Sequence, residues 1–163
     1  MQSVSIVGIG CLGGALALAL SRAGYRVENL IYRSNVPEEI ACLISPSPNL
    51  IAFDYLQNLA SDAIFLTSAD PDIEAISSQL SSKTSNKPLV FHASGSLSSE
   101  ILSDLADAGC STGSMHPLVS ISDPIRGSER FAGAFFCIEG QDEAVDAAKE
   151  MVGKLGGNGF SIE

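Results

Sequence analysis

No apolar run in this sequence is long enough to cross a bilayer: the longest, Leu12 to Leu20, is about half the required length. No basic residue precedes that run and glycines interrupt the approach to it, so the chain start does not read as a signal peptide. Lysine and arginine are scarce, 9 against 19 acidic residues, and nowhere form a run. With a formal net charge of −10, the chain is repelled by nucleic acid and by anionic membrane surfaces, so neither is expected as a partner. Cysteine is sparse too. Cys11, Cys42, Cys110 and Cys137 are too far apart for a metal knuckle or a redox pair. They read as buried, reduced thiols of a cytoplasmic protein, and no metal site is expected.

What is present points to a packed domain. The chain has 163 residues, 45% of them hydrophobic, which suits one domain that needs no disulfide or metal to fold. Short apolar runs alternate with helical patterns. Ser3–Val7 reads as a strand, Leu12–Ala23 as a helix closed by Gly24, and Val27–Tyr32 as a second strand. Residues 35–43 read as a short helix, 50–53 as a third strand, and Ala63–Thr67 as a buried fourth. Asp70-Pro71-Asp72 opens a helix to Leu80, with Asp70 as its cap. Leu89–His92, Ser111–Met115, Ala134–Ile138 and Phe160–Ile162 complete the strands; Ser98–Ala108 and Glu143–Leu155 complete the helices. This alternation implies an α/β fold, a doubly wound, mostly parallel sheet covered on both faces. Ligands on such sheets bind beyond the carboxyl ends of the strands.

The first strand runs straight into Gly8-Ile9-Gly10-Cys11-Leu12-Gly13, a G-x-G-x-x-G sequence between strand and helix. Gly8 permits the tight turn, Gly10 lets backbone approach a pyrophosphate, and Gly13 lets helix and sheet pack closely. The helix opening at Cys11 and Leu12 offers free N–H groups and a positive dipole end to phosphates. The expected ligand is a dinucleotide on a Rossmann-type domain. Its adenosine ribose meets the end of the second strand, where a carboxylate takes a 2′-hydroxyl and an arginine a 2′-phosphate. Glu28 falls at the wrong end of that strand. Arg33 and Ser34 fall at the right end, with no acid beside them, which favours NADP(H) over NAD(H).

The other strand ends supply further candidates. Thr67 and Ser68 leave room for the pyrophosphate and the nicotinamide ribose. His92 and His116, the only histidines, both fall at strand ends. Histidine titrates where proton transfer near neutral pH requires it, and hydride transfer at a carbon bearing oxygen or nitrogen needs such a partner. His116 is the candidate acid/base and Ser96 the candidate substrate contact, whereas His92 reads as a buried structural residue. The same residues also allow a module that holds or senses a dinucleotide without chemistry.

Four stretches, GIGCLGGALALALSRAGY, TSADPDI, HASGS and GSMHPLVSI, resemble the 6-phosphogluconate dehydrogenase-like superfamily of NAD(P) oxidoreductases. That superfamily includes prephenate dehydrogenases and pyrroline-5-carboxylate reductases. HASG followed by MHPL is most similar to a branch whose Rossmann-like domain carries a helical C-terminal domain of unknown function. The resemblance implies that Gly95-Ser96 contacts substrate and that His116-Pro117 supplies the catalytic histidine. Two departures point away from prephenate itself. Leu97-Ser98-Ser99 stands where the family has a lysine, and Leu118-Val119-Ser120 where it has a glycine. The resemblance further implies a helical domain beyond this chain, completing the substrate pocket and a homodimer. Residues 1–163 are thus expected to be one NAD(P)-binding domain. Alone, it should bind cofactor but turn over little small-molecule carbonyl, imine or hydroxyl substrate, because half of the water-excluding pocket is missing.

Overall fold

A computed structural model describes residues 2–162. Among them, eight strands form one sheet in the order β3-β2-β1-β4-β5-β6-β7-β8. The strands are β1 (Ser3–Val7), β2 (Arg26–Tyr32), β3 (Asn49–Ala52), β4 (Ala63–Leu66), β5 (Leu89–His92), β6 (Ser111–Pro117), β7 (Phe135–Gly140) and β8 (Asn158–Ser161). All neighbours run parallel except β6 and β7. The main helices are α1 (Cys11–Arg22), α3 (Asp70–Ser81) and α6 (Asp142–Lys154); shorter ones are α2 (Glu38–Cys42), α4 (Ser103–Asp107) and α5 (Pro124–Gly127). The doubly wound, mostly parallel α/β architecture expected from the alternation of elements is therefore the one observed.

Alternate strand residues feed two cores. Val4, Ile6, Phe65, Phe91, Met115 and Phe136 pack with α1 and α6 on one face. Ile64, Leu66 and Val90 pack with Ile73, Ile76 and Leu80 of α3 and Leu105 of α4 on the other. Central strands buried on both faces explain why Ala63–Leu66 is an unbroken apolar run. Ala144, Ala148, Met151 and Val152 recur at helical spacing and form the buried stripe of α6.

Several elements depart from the sequence reading. The helix expected over 35–43 shortens to α2, because Pro37 disfavours helical backbone at Val36. Ser98–Ala108 splits into a 3-10 turn over Ser99–Leu102 and then α4; the Ser98 hydroxyl accepts from the Glu100 N–H at its start. Strand β6 extends through His116 and Pro117, since β7 pairs with it antiparallel and places Cys137 opposite His116. The helix α5 was not anticipated, although Asp123 caps it through the Arg126 N–H and Pro124 sits in its first turn. The cysteines do not share one environment: Cys110 is buried and Cys137 partly so, but Cys11 and Cys42 are exposed, because they sit at helix ends facing solvent. The sheet is not covered throughout either. Phe135, Phe160 and Ile162 at the β7–β8 edge remain exposed.

Candidate functional site

The glycine loop is held by the strands around it. Gly8 has φ +96°, in the left-handed region that favours glycine, and its N–H donates to the Ile31 carbonyl at 2.9 Å. A Cβ on Gly8 would lie 2.6 Å from Ser68 Oγ and 2.7 Å from Ser68 N. A Cβ on Gly13 would overlap the Gly8 carbonyl oxygen and lie 2.5 Å from Thr67 Oγ1. Thr67 itself donates from Oγ1 to the Gly8 carbonyl at 2.7 Å, so its hydroxyl pins the loop. Gly10 is different. It caps α1 in extended backbone, and a Cβ there would meet nothing within 4 Å. No side chain caps α1 and its first turn carries no acid, so the first N–H groups, from Cys11 onward, are available to an anion. The Cys11 thiol points away, towards the Ser122 carbonyl at 3.2 Å, and Leu12 packs partly buried against the core.

Gly8, Gly10, Arg33, Ser34, Thr67 and Ser68 line one pocket of about 280 Å³ beyond the carboxyl ends of β1, β2 and β4. Cys11, Leu12 and Gly13 lie beside it rather than in its lining. Arg33 crosses the pocket to Asp72, Nη1 to Oδ1 at 3.2 Å, and its guanidinium lies 5.7 Å from the Phe53 ring centre. Asp72, on the first turn of α3, thus places beside Arg33 an acid that the sequence around β2 does not supply. Glu28 belongs to the opposite edge of the sheet, where it accepts from the Ser61 hydroxyl at 2.6 Å.

A second, larger cleft of about 1080 Å³ opens between α4 and the β6–β7 face. His116 and Ser96 both line it. The His116 Nδ1 lies 2.9 Å from the Ala93 carbonyl. A carbonyl only accepts, so Nδ1 carries a hydrogen and Nε2 of the neutral ring carries the lone pair. His92 lies in β5 between Leu66 and Ser114, with no exposed surface and no hydrogen-bond partner for either ring nitrogen. Burial pushes its pKa below 6.5, so the ring is neutral at pH 7.

Asp70 is not a helix cap. The N-cap of α3 is Ala69, and Asp70 instead reaches across to accept the Ser96 hydroxyl on Oδ2 at 2.6 Å. With Asp70 already inside the helix, its carboxylate faces the neighbouring strand-end loop rather than its own backbone. The Ser96 and Ser94 hydroxyls hold its pKa below the ordinary 3.8. Ala69 lines the glycine-loop pocket and its neighbour Asp70 binds a residue of the large cleft, so this dipeptide joins the two. Sequence reasoning did not find this contact, nor the Glu139 carboxylate that accepts the Ser99 backbone N–H and, at 3.1 Å, its hydroxyl. Both pairings join distant segments, and no local pattern announces them. Among the described residues no group of three His, Cys, Asp or Glu side chains could hold a metal ion, and no helix is long and apolar enough to cross a membrane.

The class of protein follows from the strand order, the glycine turn and the pocket beyond it. The chain belongs to the Rossmann-like domain family, whose model matches residues 1–117. Solved structures agree on the fold. A Bacteroides fragilis protein with the provisional name NADP oxidoreductase superposes with a TM-score of 0.82 at 17% identity, over 99% of this chain and 60% of that one. Aquifex aeolicus prephenate dehydrogenase, in complex with hydroxyphenyl propionate and NAD+, gives 0.75 at 19% identity, over 100% and 60%. Coxiella burnetii pyrroline-5-carboxylate reductase gives 0.73 at 12% identity, over 99% and 59%. The chain thus spans about 60% of the length of these proteins. Comparison with curated proteins gives no match.

Proposed function

We propose that this domain binds a nicotinamide dinucleotide, NADP(H) in preference to NAD(H), and serves an oxidoreductase acting on a small carbonyl, imine or hydroxyl substrate. One observation carries the reading. Gly8 and Gly13 are required by the protein's own packing, but nothing in the protein requires glycine at position 10. A pyrophosphate passing over Gly10 towards the first turn of α1 supplies the missing reason. Gly8, Gly10, Cys11, Leu12 and Gly13 would hold the pyrophosphate, Arg33 and Ser34 the adenosine end, and Thr67 and Ser68 the stretch towards the nicotinamide. When bound, the nicotinamide gives or takes a hydride.

His116 is the group that moves the proton. The Ala93 carbonyl fixes its tautomer, so Nε2 is the atom that accepts a proton from a substrate hydroxyl or returns it to a carbonyl. Ser96, whose own hydrogen goes to Asp70, contacts the substrate by accepting from an O–H or N–H other than the one His116 takes. A helical domain and homodimer of the kind the resemblance implies would close the cleft and keep water from the reacting atoms. Fluorescence titration with NADPH and with NADH tests the reading. Saturable binding with NADPH at least fivefold tighter is expected, and equal affinities would overturn the preference for the 2′-phosphate.

A further inference from the structure

The polarity of the hydrogen bonds around the large cleft restricts what enters it. The Ser96 hydroxyl has one hydrogen, and it goes to Asp70 Oδ2 at 2.6 Å. Ser94 Oγ lies 3.2 Å from Ser96 Oγ, and with the Ser96 hydrogen already committed, any donation in that contact comes from Ser94. At least one lone pair of Ser96 Oγ is left for a ligand. Its backbone N–H is spent as well, on Ser94 Oγ at 3.1 Å. The neutral His116 ring has the same sense, since its Nδ1 hydrogen is spent on Ala93 and its Nε2 then offers a lone pair. The two groups that sequence reasoning brought to the substrate therefore both accept.

The charges agree with the hydrogen bonds. Glu100 and Glu139 line the cleft, Asp70 stands behind Ser96, and among the described residues no lysine or arginine lines it. A carboxylate anchored there would lack a cationic partner and would face three acids across a cleft screened only by solvent and salt.

We infer that Asp70 sets the acceptor polarity of this site, and that the site takes a neutral or cationic alcohol or amine through that ligand's own O–H and N–H hydrogens, not through a carboxylate. This rests on the reading of the His116 cleft as the substrate site. Asp70 acts through Ser96 and is a positioning residue. It also fixes specificity, because a carboxylate can only accept from Ser96, whereas an amide in its place also offers an N–H2 that frees the Ser96 hydrogen for the cleft.

Two probes of equal carbon number test the inference: 2-amino-1,3-propanediol, a cation rich in donors, and malonate, a dianion without them. Each is titrated into the chain while the Ser96 amide and the His116 ring resonances are followed by NMR. The aminodiol should shift both resonances saturably, and malonate should need at least tenfold higher concentration. Asp70→Asn should weaken the aminodiol at least fivefold and tighten malonate, a reversal that simple loss of structure would not produce. Malonate binding wild type as well as the aminodiol, or neither probe moving Ser96 and His116, would overturn the inference. A parallel NADPH titration separates the two proposals. NADPH binding without aminodiol binding sinks this inference alone, and the converse sinks the dinucleotide reading alone.

Discussion

The His116 ring occupies space that exists because residue 95 has no side chain. A Cβ on Gly95 would lie 2.6 Å from His116 Nε2 and 2.8 Å from each adjacent ring carbon. The ring is the free end of its side chain, so Gly95→Ala would turn it aside rather than unfold the strand. The expected cost in stability is only that of the broken Nδ1–Ala93 hydrogen bond, about 1 kcal/mol. Ring nitrogen-15 shifts should show the fixed Nδ1–H tautomer replaced by a mixture. An unchanged tautomer with unchanged melting would mean that the glycine does not position the histidine.

Gly13→Ala should behave in the opposite way. Its Cβ would meet the Gly8 carbonyl and Thr67 Oγ1, of which the first is backbone and cannot rotate away. Overpacking of this kind costs about 1–3 kcal/mol, read as a lower urea midpoint at unchanged slope. A midpoint equal to that of wild type would show the helix free to slide outward.

Arg33 is shared between the pocket and Asp72. Removing the competing charge with Asp72→Asn should tighten NADPH two- to fivefold and leave NADH unchanged. Arg33→Ala should cost NADPH about tenfold, the equivalent of about 1.4 kcal/mol. Equal losses for both nucleotides in the Arg33 variant would remove its role as the 2′-phosphate contact.

The glycine turn, the central strands and α3 were legible because each carries a local signal: glycine spacing, unbroken apolar runs, and proline beside acid at a helix start. The site was legible only as a set of strand-end positions. Thr67, Arg33, Ser96 and His116 were named because the carboxyl edge of a parallel sheet gathers them, and the first two line the smaller pocket, the last two the larger cleft. Their partners were not. Asp70 looked like a cap because Asp-Pro at a helix start usually is one, and only the approach of the β5 loop, 26 residues later, gives its carboxylate another use. The extension of β6 through His116 depends on β7 arriving antiparallel, a pairing decided by tertiary packing rather than by either strand.

Asp62 clamps the start of β1 to β4. Its Oδ2 accepts the Gln2 and Ser3 N–H groups at 2.7 and 3.0 Å, and its own N–H donates to Ser3 Oγ at 3.1 Å. The two backbone N–H groups hold its pKa below the ordinary 3.8. A carboxyl depressed in the folded state contributes stability above its unfolded pKa and loses it as pH falls through the folded value. Asp62→Asn should therefore be less stable than wild type at pH 7, with the gap closing as pH falls below about 4. A gap independent of pH would place its cause elsewhere than in the charge.

Position 10 separates ligand from fold most directly. Serine is at least as good a helix N-cap as glycine, and the space over Gly10 is empty of protein, so Gly10→Ser should melt within about 1 °C of wild type or slightly above it. The same side chain stands where the pyrophosphate would pass. Melting temperature and NADPH affinity measured together on this one variant should show stability kept and binding weakened at least tenfold. NADPH bound by the variant as tightly as by wild type would contradict the account, because the glycine loop would then not be where the dinucleotide lies.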